Sequence, residues 1–238
     1  MTDARMGVPA TVRRDGPLSF LRETAASLRN RRIVGPTLVL TILLTASNII
    51  ILLNRPVEGE PPIVFAIAAF VRVAGLWFLA VAILRLLNDS ARRPYRPDAG
   101  FWLYGLTFLF GIAASIGLTV LGGDKDDPVA AALQALGLLV VGAPPAAWFT
   151  AIAVERPLAA NPRPWLRGFR RWLLPLILWS VLILLPLGQL HRAIDLFLLE
   201  GAGDNFWPLT LFDGPLSAVM AVFGLALAST AYRRVARG

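Results

Sequence analysis

The 238-residue chain has no cysteine, one histidine and one lysine, and only 16% of its residues are charged. Without cysteine, neither a disulfide framework nor a thiolate metal centre can be built. A single histidine gives a zinc hydrolase no pair of imidazoles, and with no cysteine it leaves little from which to assemble a nucleophile beside a base. Neither a phosphate-binding glycine loop nor a dinucleotide fingerprint is present. Catalytic residues, bound metal and cofactors are all expected to be none. The shortage of charge also excludes disorder, because a chain that is 56% hydrophobic has too much apolar surface to stay solvated.

What the sequence does have is long hydrophobic runs. A hydrocarbon core of about 30 Å is crossed by roughly 20 helical residues. Six segments reach that length: Ile33 to Leu53, Ile63 to Leu84, Phe101 to Leu121, Val129 to Val154, Trp172 to Leu190, and a last one from Asp213-Gly214-Pro215 to Tyr232. Adjacent Pro144 and Pro145 remove two backbone donors and predict a break in the fourth. Phe101, Trp102 and Tyr104 open the third as an aromatic group of the kind found at a headgroup boundary. Asp213 reads as the N-cap of the sixth, with proline in its first turn; the alternative, an ion pair with Arg72, requires that it dip well below the outer surface. The expected fold is all-α and polytopic, with six transmembrane helices and short amphipathic interfacial helices. It divides into a basic N-terminal segment (1–32), the membrane domain (33–232) and a basic tail (233–238). The first 32 residues are polar and arginine-rich, without a short apolar region, so the first span is expected to be kept as an anchor.

Charge placement orients these spans. Nineteen of the 23 basic residues fall in the N-terminal segment, the loops after the second and fourth spans, and the tail. The opposite loops hold only Arg55, Lys125 and Arg192, and Arg72 lies within a span. By the positive-inside rule both termini are cytoplasmic, in a bacterial inner membrane. The net charge of +8 is then an orientation signal and an attraction to anionic headgroups on the cytoplasmic leaflet, not a nucleic-acid footprint. Membrane lipids are the expected partners, with a protein partner or a second copy as further options.

The segment before the fifth span is the clearest surface element. Trp165, Phe169 and Trp172 fall within about 60° of one another on a helical wheel, while Arg163, Arg167, Arg170 and Arg171 gather opposite them. These seven residues are expected to anchor at the lipid interface. A weaker stripe of Leu18, Leu21, Ala25 and Leu28 precedes the first span. His191 to Glu200 suggests an outer surface helix, with His191 as an interfacial residue.

The run Ala146-Ala-Trp-Phe-Thr-Ala-Ile-Ala-Val-Glu-Arg-Pro157, followed by Pro164-Trp-Leu-Arg-Gly-Phe-Arg-Arg-Trp-Leu-Leu174, resembles six-span bacterial membrane proteins of the YciC-like and glycerophosphodiesterase-membrane-domain-like groups. In those groups a span ends near an acidic residue, a short basic surface helix follows, and the next span begins. The resemblance implies the six-span layout and carries no defined chemistry.

Arg72 is the one residue the membrane makes expensive, at about 2.5–3.5 kcal/mol for a helix centre. It is a candidate group for an anion or a headgroup, with the amides Asn48 and Gln134 as the expected partners because they can accept from a guanidinium. The competing reading pairs it with carbonyls freed by the Pro144-Pro145 break. Gly111 and Ser115 are expected to let helices pack closely, and the acidic turn at Asp124 to Asp127 reads as solvated. Two functions are consistent with this inventory. One is a non-enzymatic accessory or regulatory protein acting through lipids or a partner; the other is a small transporter or channel subunit that uses Arg72. The topology is tested by reporter fusions after Glu60 and after Arg96, which should report opposite sides of the membrane; the same side for both would refute it.

Overall fold

The computed structural model describes residues 16–55, 60–121, 128–155, 169–201 and 203–236. The described residues are helical with short connections and contain no strand. Hydrocarbon offers the backbone no hydrogen-bond partner, so long apolar segments satisfy their amides within helices. The elements are α1 (Pro17–Leu28), α2 (Val34–Leu53), α3 (Ile63–Leu87), α4 (Ala99–Leu121), α5 (Pro128–Val154), α6 (Phe169–Trp179), α7 (Leu185–Gly201) and α8 (Phe206–Ala236).

Four continuous helical runs are long and apolar enough to cross a membrane: Arg31–Leu53, Ile63–Leu87, Arg170–Gly201 and Gly203–Ala236. The pair Val129–Ala143 and Pro145–Val154 makes a fifth, bent by 46°, which places the break where the two prolines predict it. Ala99–Ala113 within α4 adds a shorter apolar stretch. The architecture is that of a multi-pass membrane protein.

Two boundaries differ from the sequence expectation. Phe169 to Gly201 forms one helical run, in which a π turn (Ser180–Leu184) joins α6 to α7, so His191 to Glu200 continues the span instead of forming a separate surface helix. Pro175 and Pro186 are accommodated within it. Pro186 cannot donate to the Leu182 carbonyl, which lies in the π turn. Pro175 frees the Arg171 carbonyl, and Arg234 Nη1 donates to that oxygen at 3.0 Å. The second difference is at α8, which starts at Phe206 and carries Asp213 and Pro215 in its interior. Asp213 is therefore not an N-cap. The helix also extends through Arg233 and Arg234, which the sequence placed in a tail.

The core is organised around α8, which packs against α1, α2, α3, α5, α6 and α7. Its small residues Ala218 and Ala226 are buried between larger side chains such as Leu40, Leu44 and Ile83 of α2 and α3, and Ala231 packs against Phe20 and Trp172. Close approach relies on particular glycines. A Cβ on Gly75 would lie 2.3 Å from Leu43 Cδ2, and one on Gly105 would lie 2.3 Å from the Trp77 ring. Gly111 meets nothing within 4 Å, so the expected packing role belongs to other positions. Phe101 and Tyr104 are likewise turned into the core, with Phe101 stacked on Trp77 at 4.5 Å, and only Trp102 of that aromatic group is exposed.

The end of the bundle that carries α1 is fastened by arginines. Arg85, counted as a loop residue in the sequence, is 1% exposed. It donates to the carbonyls of Ala153 (3.0 Å), Arg93 (3.0 Å) and Arg96 (2.7 Å) and to Asp98 Oδ1 (2.6 Å). The last turn of α5 is thus capped from α3, with Ser90 Oγ serving Val154 at 2.9 Å. Asp98 accepts from the Phe101 amide at 3.0 Å and caps α4. Arg233 reaches Ser27 Oγ (2.6 Å) and the Leu87 carbonyl (2.9 Å), tying α1 and α3 to α8. Arg234 reaches Glu23 (2.9 Å) and lies over the Phe20 ring. The inward face of α1 is therefore Phe20 and Thr24, while Leu18 and Ala25 of the expected stripe are exposed.

Burial would raise the Asp98 carboxyl, but the Phe101 amide and the Arg85 and Arg92 guanidinium groups outweigh it and hold it below the usual carboxylate range. A depressed folded-state value gives stability that is present above the ordinary carboxylate range and lost as pH falls through the lowered value. Acid unfolding of the purified protein should show this limb, and Asp98→Asn should remove it. Arg85→Met, which takes a donor from the Ala153, Arg93 and Arg96 carbonyls and one of two guanidinium groups from Asp98, should cost about 3 kcal/mol at neutral pH. An Asp98→Asn protein with an unchanged acid limb would refute the assignment.

Candidate functional site

At the far end of the bundle, where α2 finishes and α3 and α8 begin, polar side chains from four helices meet in otherwise apolar surroundings. Asp213 of α8 is the centre, with 0% exposure. Its Oδ2 accepts from Asn48 Nδ2 of α2 at 2.5 Å. Asn48 Oδ1 in turn accepts from Arg72 Nη1 of α3. On its other side, Asp213 Oδ1 meets His191 Nδ1 of α7. His191 Nε2 lies 3.4 Å from Asp195 Oδ2 one turn further along α7, and Ser217 Oγ of α8 is 3.5 Å from Nδ1. The order is Arg72, Asn48, Asp213, His191, Asp195, with an amide orienting the link between the guanidinium and the buried carboxylate.

Backbone geometry makes this meeting feasible. A Cβ on Gly214 would lie 2.6 Å from the Thr45 Cα and 2.0 Å from Thr45 Oγ1, so α2 and α8 cross here at a distance only glycine permits. That crossing brings Asn48 to Asp213. On α7, His191 and Asp195 are four residues apart and share a helical face.

Beside the network is a cavity of about 490 Å³. Arg72, His191 and Ser217 supply its polar wall, while Leu44, Leu76, Leu138, Leu139 and neighbouring side chains supply an apolar one. Arg72 makes one hydrogen bond among the described residues, to Asn48, and a guanidinium has five N–H donors. It lines the cavity with donors to spare. The carbonyls freed by Pro144 and Pro145 are not its partners among the described residues. Gln134 is half-buried on α5 beside Ala135, which lines the cavity.

Of the expected surface anchors, Arg163, Trp165 and Arg167 lie outside the described residues, as does the Phe169 side chain. Arg170 and Arg171 are exposed at the start of α6. Trp172 departs from the expectation: it is buried against Phe20, Ala143 and Leu227, because α1 covers that face of α6. The acidic turn at Asp124 to Asp127 is also outside the described residues.

His191, Asp195 and Asp213 bring one donor atom each to within 4.8 Å of one another. These are donor types a cation could use, but Asn48 turns an amide N–H onto Asp213, and Arg72 already places a positive charge behind it. The arrangement suits a proton better than a divalent ion. The sequence could not assemble this set, because its members are spread from position 48 to position 213 and Asp213 read as a cap. The available signal was the membrane cost of every ionisable residue inside a helical run, applied to His191 and Asp195 as it was to Arg72.

No protein family, curated protein or solved structure matches the chain.

Replacing Gly214 with alanine should lower stability in thermal unfolding by about 1–3 kcal/mol, because the new methyl overlaps α2 backbone. Gly111→Ala, whose methyl meets nothing, should be neutral or slightly stabilising. Equal effects at the two positions would contradict the crossing described here.

Proposed function

We propose that the chain is a six-span protein of a bacterial inner membrane, with both termini cytoplasmic. In this reading it is a non-enzymatic accessory protein that works by holding an anionic amphiphile within the bundle. The asymmetric arginines support the orientation, and the layout that resembles the YciC-like and glycerophosphodiesterase-membrane-domain-like groups agrees with the span count.

The observation that carries the binding reading is Arg72: a guanidinium with free donors on the wall of a largely apolar cavity. Such a cavity matches a molecule with an acidic head and a hydrocarbon chain. The head is recognised by charge-assisted hydrogen bonds, and the chain by burial against leucines. Hydrolytic chemistry is not the reading favoured here: the one hydroxyl near the ring, Ser217 Oγ, is 3.5 Å from His191 Nδ1, and that nitrogen is already held by Asp213. A second reading, transport of the same molecule, is favoured by the 46° bend in α5, whose Ala135, Leu138 and Leu139 form one wall of the cavity.

The test is native mass spectrometry of the protein released from nanodiscs of phosphatidylethanolamine doped with phosphatidylglycerol. The wild-type protein should retain the anionic lipid, with Arg72→Leu weakening retention about tenfold, the worth of one charge-assisted contact. Arg72→Lys should retain more than the leucine variant, and Ala135→Phe, which fills the cavity and leaves Arg72 intact, should also lose the lipid. Equal retention by all four proteins would place the lipid on the outer surface and end the cavity reading.

A further inference from the structure

His191 has a carboxylate at each ring nitrogen: Asp213 Oδ1 at Nδ1, and Asp195 Oδ2 at Nε2, 3.4 Å away. An ionised carboxylate only accepts hydrogen bonds, and a neutral imidazole has one N–H. Both contacts are satisfied together only when the trio holds one more proton than two carboxylates and a neutral ring. The groups facing His191 are few. Asp195 lies on its own helix, α8 contributes Asp213 and the Ser217 hydroxyl, α3 contributes Arg72 and α2 contributes the Asn48 amide through Asp213. From α5, among the described residues, the cavity receives the apolar Ala135, Leu138 and Leu139.

The charge balance follows directly. With His191 protonated, Arg72, His191, Asp195 and Asp213 are together neutral. Without that proton they carry one net negative charge at the cavity wall, where an unbalanced charge is costly and a second anion is repelled.

We infer that the Asp213–His191–Asp195 trio is a proton-binding site, with the proton on His191, and that it is coupled to the cavity so that an anionic amphiphile binds together with a proton. This rests on the cavity reading proposed above and adds the condition under which the cavity accepts its ligand. Asp195, whose side chain is 46% exposed, is the entry point for the proton. The proton passes from the Asp195 carboxyl to Nε2, and Asp213 fixes the ring through Nδ1. The Asn48 amide does not titrate and ends the path. Arg72, linked to Asp213 through Asn48, senses the outcome as the net charge of the trio. The ligand is an acidic head on a hydrocarbon chain, a chemistry shared by anionic phospholipids and fatty acids.

Because His191 is the only histidine in the chain, its ring gives a single imidazole pair of ¹⁵N resonances without assignment. Ligand-free full-length protein in phosphatidylethanolamine nanodiscs should show a doubly protonated ring at neutral pH, and Asp213→Asn should return it to the neutral form. A singly protonated ring in the wild type would overturn the proton site.

In the same nanodiscs, binding of phosphatidylglycerol and of oleate is measured from about pH 5 to about pH 9, the range a perturbed histidine spans. Affinity should fall by about tenfold per pH unit once the proton is lost, the slope of one proton per ligand. His191→Gln should bind without that slope. The ligand source is whichever of the two shows it. Binding with no pH slope in the wild type would overturn the coupling and leave the cavity reading intact. If neither ligand binds at any pH, both readings fail. Zinc that binds the wild type but not His191→Gln, and neutralises the ring on binding, would replace the proton with a metal.

Discussion

A carboxylate with no access to solvent, set at the crossing of two apolar helices, governs the far end of this bundle. Asp213 is accommodated there because Asn48 donates to one oxygen, His191 meets the other, and Arg72 stands behind the amide. Each partner belongs to a different helix, so one buried charge sets the relative positions of α2, α3, α7 and α8. A lone buried charge is among the most expensive groups a membrane interior can hold, and a paired one in turn is strongly specifying. Gly214, next to Asp213, makes the requirement reachable by removing the side chain that would hold α2 away.

The opposite end follows the same logic with the signs exchanged. There the groups are guanidinium forks, and their acceptors are backbone carbonyls together with hydroxyl, amide and carboxylate oxygens. Arg85 closes the end of α5 and the loop that follows α3, and Arg234 serves the carbonyl that Pro175 leaves without a donor. Between the two polar ends the core is aliphatic side chains with aromatic rings such as Trp172, Phe101 and Tyr104, packed around α8. Van der Waals packing holds helices together in lipid, but it does little to fix rotation or depth. The polar groups at the ends supply both.

How far the sequence discloses this varies with the kind of feature. The apolar runs locate the helices, and the paired prolines locate the bend in α5, because length and a missing donor are local properties. Arg72 and Asn48 could be named because one is costly in hydrocarbon and the other can accept from it. Asp213 was misread because Asp-Gly-Pro is a strong local start signal, and tertiary pairing overrode it within a continuous helix. Trp172 was misread for a related reason. Its amphipathic spacing is the same whether the apolar face meets lipid or another helix, and α1 turned out to cover it. Arg85 showed no signal at all, since a basic residue near the end of a span looks like every other member of the positive cluster.

Helix α8 is the last of the described helices to leave the ribosome, yet it touches six of the others and carries the acid, the glycine and the arginines that fasten both ends. The earlier helices therefore enter the bilayer with part of their polar groups unmatched: Asn48 can accept from Arg72, and His191 and Asp195 share α7, while the Asn48 amide N–H and His191 Nδ1 wait for Asp213. Helix α8 is thus the element on which the polar contacts of both ends converge. Truncation within α8 is in this sense unlike the loss of an ordinary terminal helix, because it withdraws the common partner of the entire assembly.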